Sequence, residues 1–473
     1  MWRSRFLFER ALGCVYLIAF LVTANQFVAL LGEHGLVPVP LFTDNVPFSS
    51  SPSLFYFAHT DAVFRICAWV GVALSALAIT AIPQRIGTWA AALCWAALWL
   101  LYLSFVNVGQ IFYGFGWETL LLETGFLAIF LGAWDTEPSR LLNYLARWIA
   151  FRIMFGAGLI KLRGDACWRN LTCLDYYFET QPIPNPLSWY FHWLPAPVHH
   201  AGVLINHFAE LIVPWALFAP QPIASIAAVI TILFQLTLIA SGNLSWLNWL
   251  TIVVAIPAID DRWLAWMPVR VPALKKRSSR HQQAVYVLTA AVVLLSIAPA
   301  ANLFSSSQMM NSSFEPLHIV NTYGAFGSVT DVRNEIVVEG TSDSALTDHT
   351  VWREYEFRGK PGDPARMPPQ IAPYHLRLDW LMWFAAMEPP EEHAQWFDPM
   401  IQKRLAGDRA TLSLLRTNPF ADAPPRFIRA ELFRYTFTTP GERHATGRWW
   451  NRESAGRLYM RPTSAEGITP VAR

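Results

Sequence analysis

The chain has 473 residues, of which 53% are hydrophobic, 14% aromatic and 15% charged, with a formal net charge of +2. Soluble domains usually carry about 25% charged residues, so this composition excludes an ordinary soluble protein and indicates an integral membrane protein. A basic run at 275–277 adjoins an apolar window. It is typical of a cytoplasmic membrane flank, so we expect no nucleic-acid binding.

Apolar windows long enough to cross a hydrocarbon core of about 30 Å recur through the first 300 residues. They lie at 11–31, 63–82, 88–106, 117–133, 148–162, 201–219, 224–241, 246–258 and 284–303. Because the window at 246–258 is short, the sequence predicts eight or nine spans.

Arginine and lysine fall in alternate connections between these windows. They precede the first span and follow the second, fourth and eighth, whereas 32–60, 107–116 and 242–246 have none and 164–200 has only Arg169. Since short cytoplasmic loops accumulate basic residues, we expect a cytoplasmic amino terminus and an extracytoplasmic tail.

The composition changes near residue 303, and this change predicts two domains. Residues 1–303 form a transmembrane domain with a long extracytoplasmic loop at 164–200, and residues 304–473 form a soluble extracytoplasmic domain. In the tail, alternating apolar residues predict strands at 335–340, 352–357 and 430–437, and helical spacing predicts helices at 376–386 and 396–416. The predicted fold is therefore a polytopic α-helical membrane bundle followed by a β-containing α+β domain.

Two of the five cysteines differ from the others in position. Cys14, Cys67 and Cys94 lie in apolar windows, whereas Cys167 and Cys173 lie six residues apart in the long loop. An oxidising compartment lets disulfides persist, so we predict a bridge between these two. No neighbouring histidine completes a metal-ligand pattern, and we expect no metal site.

The rest of the long loop interleaves aromatic residues with prolines. Such a segment is typical of an aromatic belt at the membrane interface, but rigid aromatic side chains also anchor protein partners. Composition leaves both readings open. The candidate residues for binding a client protein are Pro184, Asn185, Trp189, Tyr190 and Trp193.

Ionisable side chains lie inside several windows, where an unpaired charge is costly. The sequence favours one shared cluster, whose candidate members are Glu118, Glu123, Arg152, Lys161, His207 and Glu210. His207 and Glu210 are three residues apart, which places them on one helix face. The cluster either joins helices or forms a proton-handling or ligand site. Lys161, near the end of its window, either extends to the headgroups or acts in such a site.

Six strings resemble the lipase maturation factor family. They are WETLLLETGFL at 117–127, FGAGLIKLRGDACW at 155–168, ETQPIPNPLSWY at 179–190, NTYGAFGSVT at 321–330, WREYEFRGKPGD at 352–363 and APYHLRLDW at 372–380. The resemblance covers roughly residues 10–450.

This resemblance implies a membrane protein that assists the folding and assembly of secreted clients, which in animals are homodimeric lipases of the endoplasmic reticulum. It implies secreted lipase-like clients and membrane lipid as partners, and no cofactor. Because the chain is rich in arginine, we expect a bacterial inner membrane, or the endoplasmic reticulum membrane if the source is eukaryotic. The family assigns no catalytic residue.

A shorter string, AGLIKL at 157–162, is similar to vitamin K-dependent γ-glutamyl carboxylase and its bacterial relatives. That likeness implies an alternative function, a membrane enzyme in which Lys161 is the base toward a lipid-soluble quinone-type ligand. Motifs of soluble enzymes, such as a Gly-x-Ser-x-Gly elbow or a P-loop, are missing from the sequence. The folding factor is the favoured reading.

The charge pattern makes a direct prediction about topology. A reporter fused after residue 310 should be extracytoplasmic and one fused after residue 275 cytoplasmic, because the last predicted span lies between them. Paired alkaline phosphatase and fluorescent-protein fusions measure this. If both positions report the same side, the nine-span topology is wrong.

Overall fold

The computed structural model describes residues 1–465 and 467–468, with helices first and a mixed region after them. The helices before residue 305 are α1 Trp2–Leu31, α2 Val39–Asn45, α3 Asp61–Ile79, α4 Ile82–Ile86, α5 Thr88–Asn107, α6 Gly116–Ala128, α7 Arg140–Arg163, α8 Ala166–Arg169, α9 Leu174–Thr180, α10 Ser188–His192, α11 Ala196–His207, α12 Val213–Ala216, α13 Ile223–Ser241, α14 Leu247–Ala255, α15 Ser279–Leu295 and α16 Ile297–Phe304.

Five helical segments of the described chain are long and apolar enough to cross a membrane. They are Trp2–Leu31, Asp61–Ile79, Thr88–Asn107, Ile223–Ser241 and Ser279–Phe304. The predicted count of eight or nine is not confirmed. The window at 117–133 forms only the 13 residues of α6, and α7 has 24 residues but carries several arginines and a lysine.

The window at 201–219 is interrupted by a π-helical turn at Phe208–Ile212, between α11 and α12. Pro214, at the start of α12, has no N–H to donate to the carbonyl of Glu210 four residues earlier. A widened turn is a usual accommodation of such a missing hydrogen bond, and π turns are frequent at functional sites. This turn carries the carboxylate of Glu210.

The tail contains one antiparallel sheet of order β2-β1-β3-β4-β5. Its strands are β1 Arg333–Thr341, β2 Arg353–Glu354, β3 Phe427–Phe437, β4 Trp450–Ser464 and β5 Gly467–Ile468. The predictions at 335–340 and 430–437 agree with β1 and β3, whereas only two residues of 352–357 form β2. Strand β4 is not predicted by the sequence, because its exposed residues do not alternate with buried ones. Its pairing with β3 also shifts register.

The tail helices are α17 Arg377–Ala385, α18 Pro390–Leu405, α19 Arg409–Leu412 and α20 Pro440–Thr446. The helix predicted at 376–386 agrees with α17. The one predicted at 396–416 begins earlier, because Pro390 occupies the first position of a helix, where proline is tolerated. It is divided at Gly407, whose φ of +68° ends α18.

The long loop is bound to the sheet by Arg333 of β1. Its guanidinium donates to the carbonyl oxygens of Glu179 at 2.8 Å, Gln181, and Pro182 at 3.1 Å, and pairs with Glu335 at 2.6 Å. Burial lowers the pKa of Arg333 to about 9. The loop and the tail therefore form one folded surface.

The bundle and the tail also share buried polar contacts. Glu118 of α6, fully buried, accepts from Arg377 of α17 at 2.8 Å and from the hydroxyl of Tyr102. The backbone N–H of Arg377 donates to Gln26 of α1 at 3.0 Å. One hydrophobic core runs through both halves, so the division near residue 303 stays a prediction.

The ion pair between Arg377 and Glu118 should contribute to the stability of the folded protein. Arg377→Met leaves the Glu118 carboxylate buried without its cation, which costs about 3 to 5 kcal/mol. We expect a large fall in the thermal midpoint of the detergent-purified protein, measured by fluorescence-detected size exclusion.

The exposed Arg426 provides the control. Arg426→Met should leave the midpoint unchanged, and adding Glu118→Gln to Arg377→Met should recover part of the loss. Equal midpoints for Arg377→Met and Arg426→Met would show that the pair does not stabilise the fold.

Candidate functional site

A cavity of about 470 Å³ lies where the bundle meets the tail. Helices α7, α13 and α14 form one side, and the segment 324–330 and helix α17 form the other. Its walls are largely apolar and aromatic. The aromatic lining residues are Phe115, Trp117, Trp168, Tyr177, Phe326, Trp380, Trp383 and Phe384. The exposed lining residues Met310, Asn311, Ser328, Thr330 and Glu388 mark its mouth.

Lys161 and Glu210 form a buried ion pair in the cavity wall. The Lys161 Nζ lies 2.6 Å from Glu210 Oε1 and 3.0 Å from Asn206 Oδ1, and Asn206 Nδ2 donates to Glu210 Oε2 at 3.0 Å. Lys161 is only 5% exposed and Glu210 3%. The side chain of Lys161 therefore lies inside the protein and does not extend to the headgroups.

Small residues of α7 allow the ion pair to form. A Cβ on Gly158 would lie 2.7 Å from Leu211 Cδ2 and 3.0 Å from Glu210 Cβ. A Cβ on Gly156 would lie 2.4 Å from the carbonyl oxygen of Tyr323. These positions let α7 approach both the π turn and the tail closely, which is the usual role of small residues in membrane helix packing.

Besides Lys161, Glu210 accepts a hydrogen bond from Asn206 and not from His207. His207 Nε2 lies 3.0 Å from the carbonyl oxygen of Trp168, on the long loop. Neither ring nitrogen of His207 bonds to Glu210, and the role of His207 as a site residue stays a prediction. Asn206 precedes Glu210 by four residues, and that spacing could have identified it. The Trp168 ring lies 5.0 Å from Lys161 Nζ.

The predicted single cluster is wrong: its charges occupy three ion pairs. Glu118 pairs with Arg377, and Lys161 with Glu210. Glu123 pairs with Arg152 and accepts from the hydroxyl of Tyr323 at 2.7 Å. Arg377 and Tyr323 lie outside the apolar windows, and nothing in the sequence indicates that they enter the bundle.

Two amides provide further polar atoms at the cavity. Asn248 Nδ2 of α14 donates to Gln235 Oε1 of α13 at 2.7 Å, and both residues line the cavity. No sequence motif singles them out, but polar residues in apolar helices usually face a partner or a cavity.

The disulfide lies beside this region. Cys167 and Cys173 are bonded to each other, and the buried ring of Trp168 follows Cys167 directly. Cys14, Cys67 and Cys94 are free. Within residues 1–465, no group of three or more His, Cys, Asp or Glu is arranged to hold a metal ion.

The five client-binding candidates differ in exposure. Pro184, Asn185 and Trp189 are buried, so in this structure they cannot present a surface to a partner. Asn185 Nδ2 donates to the carbonyl oxygens at the end of α13, and Trp189 Nε1 donates to that of Thr438 at 2.8 Å. Their side chains hold the loop in place.

Tyr190 is 50% exposed and Trp193 39%. Trp193 Nε1 donates to the carbonyl oxygen of Thr438 at 3.0 Å, and the Arg443 guanidinium lies 5.2 Å from the Tyr190 ring. Both side chains thus contact the tail and each stays partly exposed. A contact with a client remains a prediction for these two residues.

The apolar spans, the aromatic loop and the attached sheet define the class of protein, a helical membrane protein with a C-terminal β-sheet region. Residues 3–266 match the lipase maturation factor transmembrane domain, and residues 319–460 match the lipase maturation factor C-terminal domain. The chain belongs to the lipase maturation factor family.

Among its relatives, lipase maturation factor 1 of Mus musculus is 44% identical over 99% of this chain and 88% of its own length. The Homo sapiens protein of that name is 44% identical over 100% of this chain and 90% of its own. Lipase maturation factor 2 of Xenopus laevis is 28% identical over 97% and 82%. No solved structure matches the chain.

The Lys161 pair predicts a clear pattern of rescue. Lys161→Met leaves Glu210 buried without its cation, at a cost of about 3 to 5 kcal/mol, and should lower the yield of folded protein. Lys161→Arg should keep most of it, and adding Glu210→Met to Lys161→Met should restore it. The readout is the monodisperse fraction after detergent extraction.

An exposed lysine supplies the control, because Lys275→Met removes a charge whose side chain is 79% exposed. A Lys161→Met protein that folds as well as Lys275→Met would mean that the ion pair does not stabilise the bundle.

Proposed function

We propose that this chain is a membrane-bound maturation factor that assists the folding and assembly of secreted lipase-like proteins. The observation that carries this proposal is its identity of 44% with lipase maturation factor 1, over 99% of the chain. Similarity runs through the membrane helices and the tail, so it includes the loop and sheet that would contact a client. The chain would act in the endoplasmic reticulum membrane, or in the inner membrane of a bacterium.

The proposed client surface is the exposed part of the long loop. Tyr190 and Trp193 lie there beside Leu187, Leu194 and Val198, each between 38% and 50% exposed. Partly folded proteins expose apolar side chains, and rigid aromatic residues bind such surfaces at a low entropic cost. Because Trp189 and Arg333 fix the loop to the sheet, the surface is formed before a client arrives.

The geometry at Lys161 argues against the alternative of a membrane enzyme. A general base needs an amine free to accept a proton, whereas the Lys161 amine donates to both Glu210 and Asn206. Removing its proton would leave the Glu210 carboxylate buried and unpaired. The ion pair therefore supports a structural or binding role for Lys161.

The function is tested in cells depleted of their own lipase maturation factors. A homodimeric animal lipase is expressed alone or with this chain, and lipase activity in the medium is divided by the amount of secreted lipase. We expect the chain to raise this ratio. Tyr190→Ala with Trp193→Ala should lower the gain by about tenfold or more, as expected for two interface anchors.

Trp266→Ala is the matched control, since Trp266 is 75% exposed and lies outside the loop. It should keep the full gain. If the unaltered chain does not raise the ratio, the proposed function fails. A double variant as active as Trp266→Ala would exclude the loop as the client surface.

A further inference from the structure

We infer that the cavity beside Lys161 and Glu210 binds one amphiphile with a single apolar chain and an uncharged, hydrogen-bonding head group. This inference is independent of the proposed function, because it concerns the cavity alone. The contrast between the cavity's apolar walls and its few polar groups supports the inference.

The size and lining of the cavity favour such a molecule. At about 470 Å³, it lies within the range of about 300 to 1,000 Å³ that is typical of small-molecule sites. Ile153, Met154, Ala157, Leu244 and Leu247 line it together with the aromatic residues. These walls offer an apolar chain the same gain from burial as a protein core.

The charges at the cavity disfavour an anionic head group. Among the described residues that line it, there is one lysine against the three carboxylates of Asp165, Glu210 and Glu388. That lysine is already neutralised by Glu210 at 2.6 Å. A carboxylate or phosphate on the ligand would lose its hydration without gaining a free cation.

A cationic head group gains little as well. Glu210 is already paired with Lys161, and Asp165 and Glu388 are not buried, so water screens their attraction for a cation. Asp165 Oδ2 also accepts from the backbone N–H of Val329 at 2.6 Å. An uncharged head can instead accept from Lys161 and exchange hydrogen bonds with Asn206, Gln235 and Asn248, whose amides carry both donors and acceptors. An ester or a hydroxyl group provides this chemistry.

The mouth gives the ligand a route. Met310 and Glu388 are exposed, and Gly324 leaves room for the Met310 side chain, since a Cβ there would lie 2.6 Å from Met310 Cγ. A larger side chain at position 310 would therefore narrow the entrance. The neighbouring Met309 is similarly exposed but does not line the cavity.

The test uses the full chain in phosphatidylcholine nanodiscs without detergent, because alkyl detergents are themselves single-chain amphiphiles. The probe is a monoacylglycerol with a diazirine in its chain, and mass spectrometry maps the labelled residues. We expect saturable labelling of the cavity residues, prevented by monoolein. Ionised oleate should compete about tenfold more weakly or worse, a difference of about 1.4 kcal/mol.

Two variants should reduce labelling by about tenfold, Ala157→Phe by filling the cavity and Met310→Trp by narrowing its mouth. Met309→Trp is the matched control and should label like the unaltered chain. If Ala157→Phe fails to fold, Met310→Trp decides the matter alone.

Three results would overturn the inference: labelling that does not saturate, equal labelling of Met310→Trp and Met309→Trp, or oleate competing as well as monoolein. The lipase assay is separate, so failure of either proposal leaves the other testable.

Discussion

Buried carboxylates in α6 require partners, and the chain supplies these from remote segments. Glu118 pairs with Arg377, 259 residues further on. Glu123 pairs with Arg152 and accepts a hydrogen bond from Tyr323. An unpaired charge in such surroundings costs several kcal/mol. The position of the tail on the bundle therefore follows from the need to pair the buried carboxylates of α6. The close approach of α7 and the closure of the cavity depend in turn on where the tail lies.

The same constraint explains how polar groups and a cavity coexist. Lys161 and Glu210 neutralise each other, so the wall that they form presents dipoles and apolar surface and no net charge. The π turn before Pro214 carries Glu210, and Gly158 permits the contact. A binding site for an uncharged molecule and a stabilising ion pair can thus occupy the same wall.

Composition and periodicity predict the helical half, the tail sheet and the cysteine pair, because those features depend on local patterns. They fail where a partner is distant in sequence. Arg377 and Asn321 lie outside the apolar windows, in the part of the chain predicted to be a soluble domain, yet both are buried. Likewise, Trp189 and Asn185 resemble exposed recognition residues and instead hold the loop. The cavity could not be predicted, since its walls come from segments up to about 270 residues apart.

During synthesis of the chain, Glu118 is made well before its partner Arg377. The helix that carries Glu118 leaves the ribosome long before Arg377 is translated, so the carboxylate spends this interval without its native cation. It must stay protonated, remain in contact with water or be shielded by a membrane insertion factor until the tail has folded. A premature stop codon before position 377 would therefore remove more than the sheet. It would leave the membrane helices with an unneutralised acid and make them substrates for quality control.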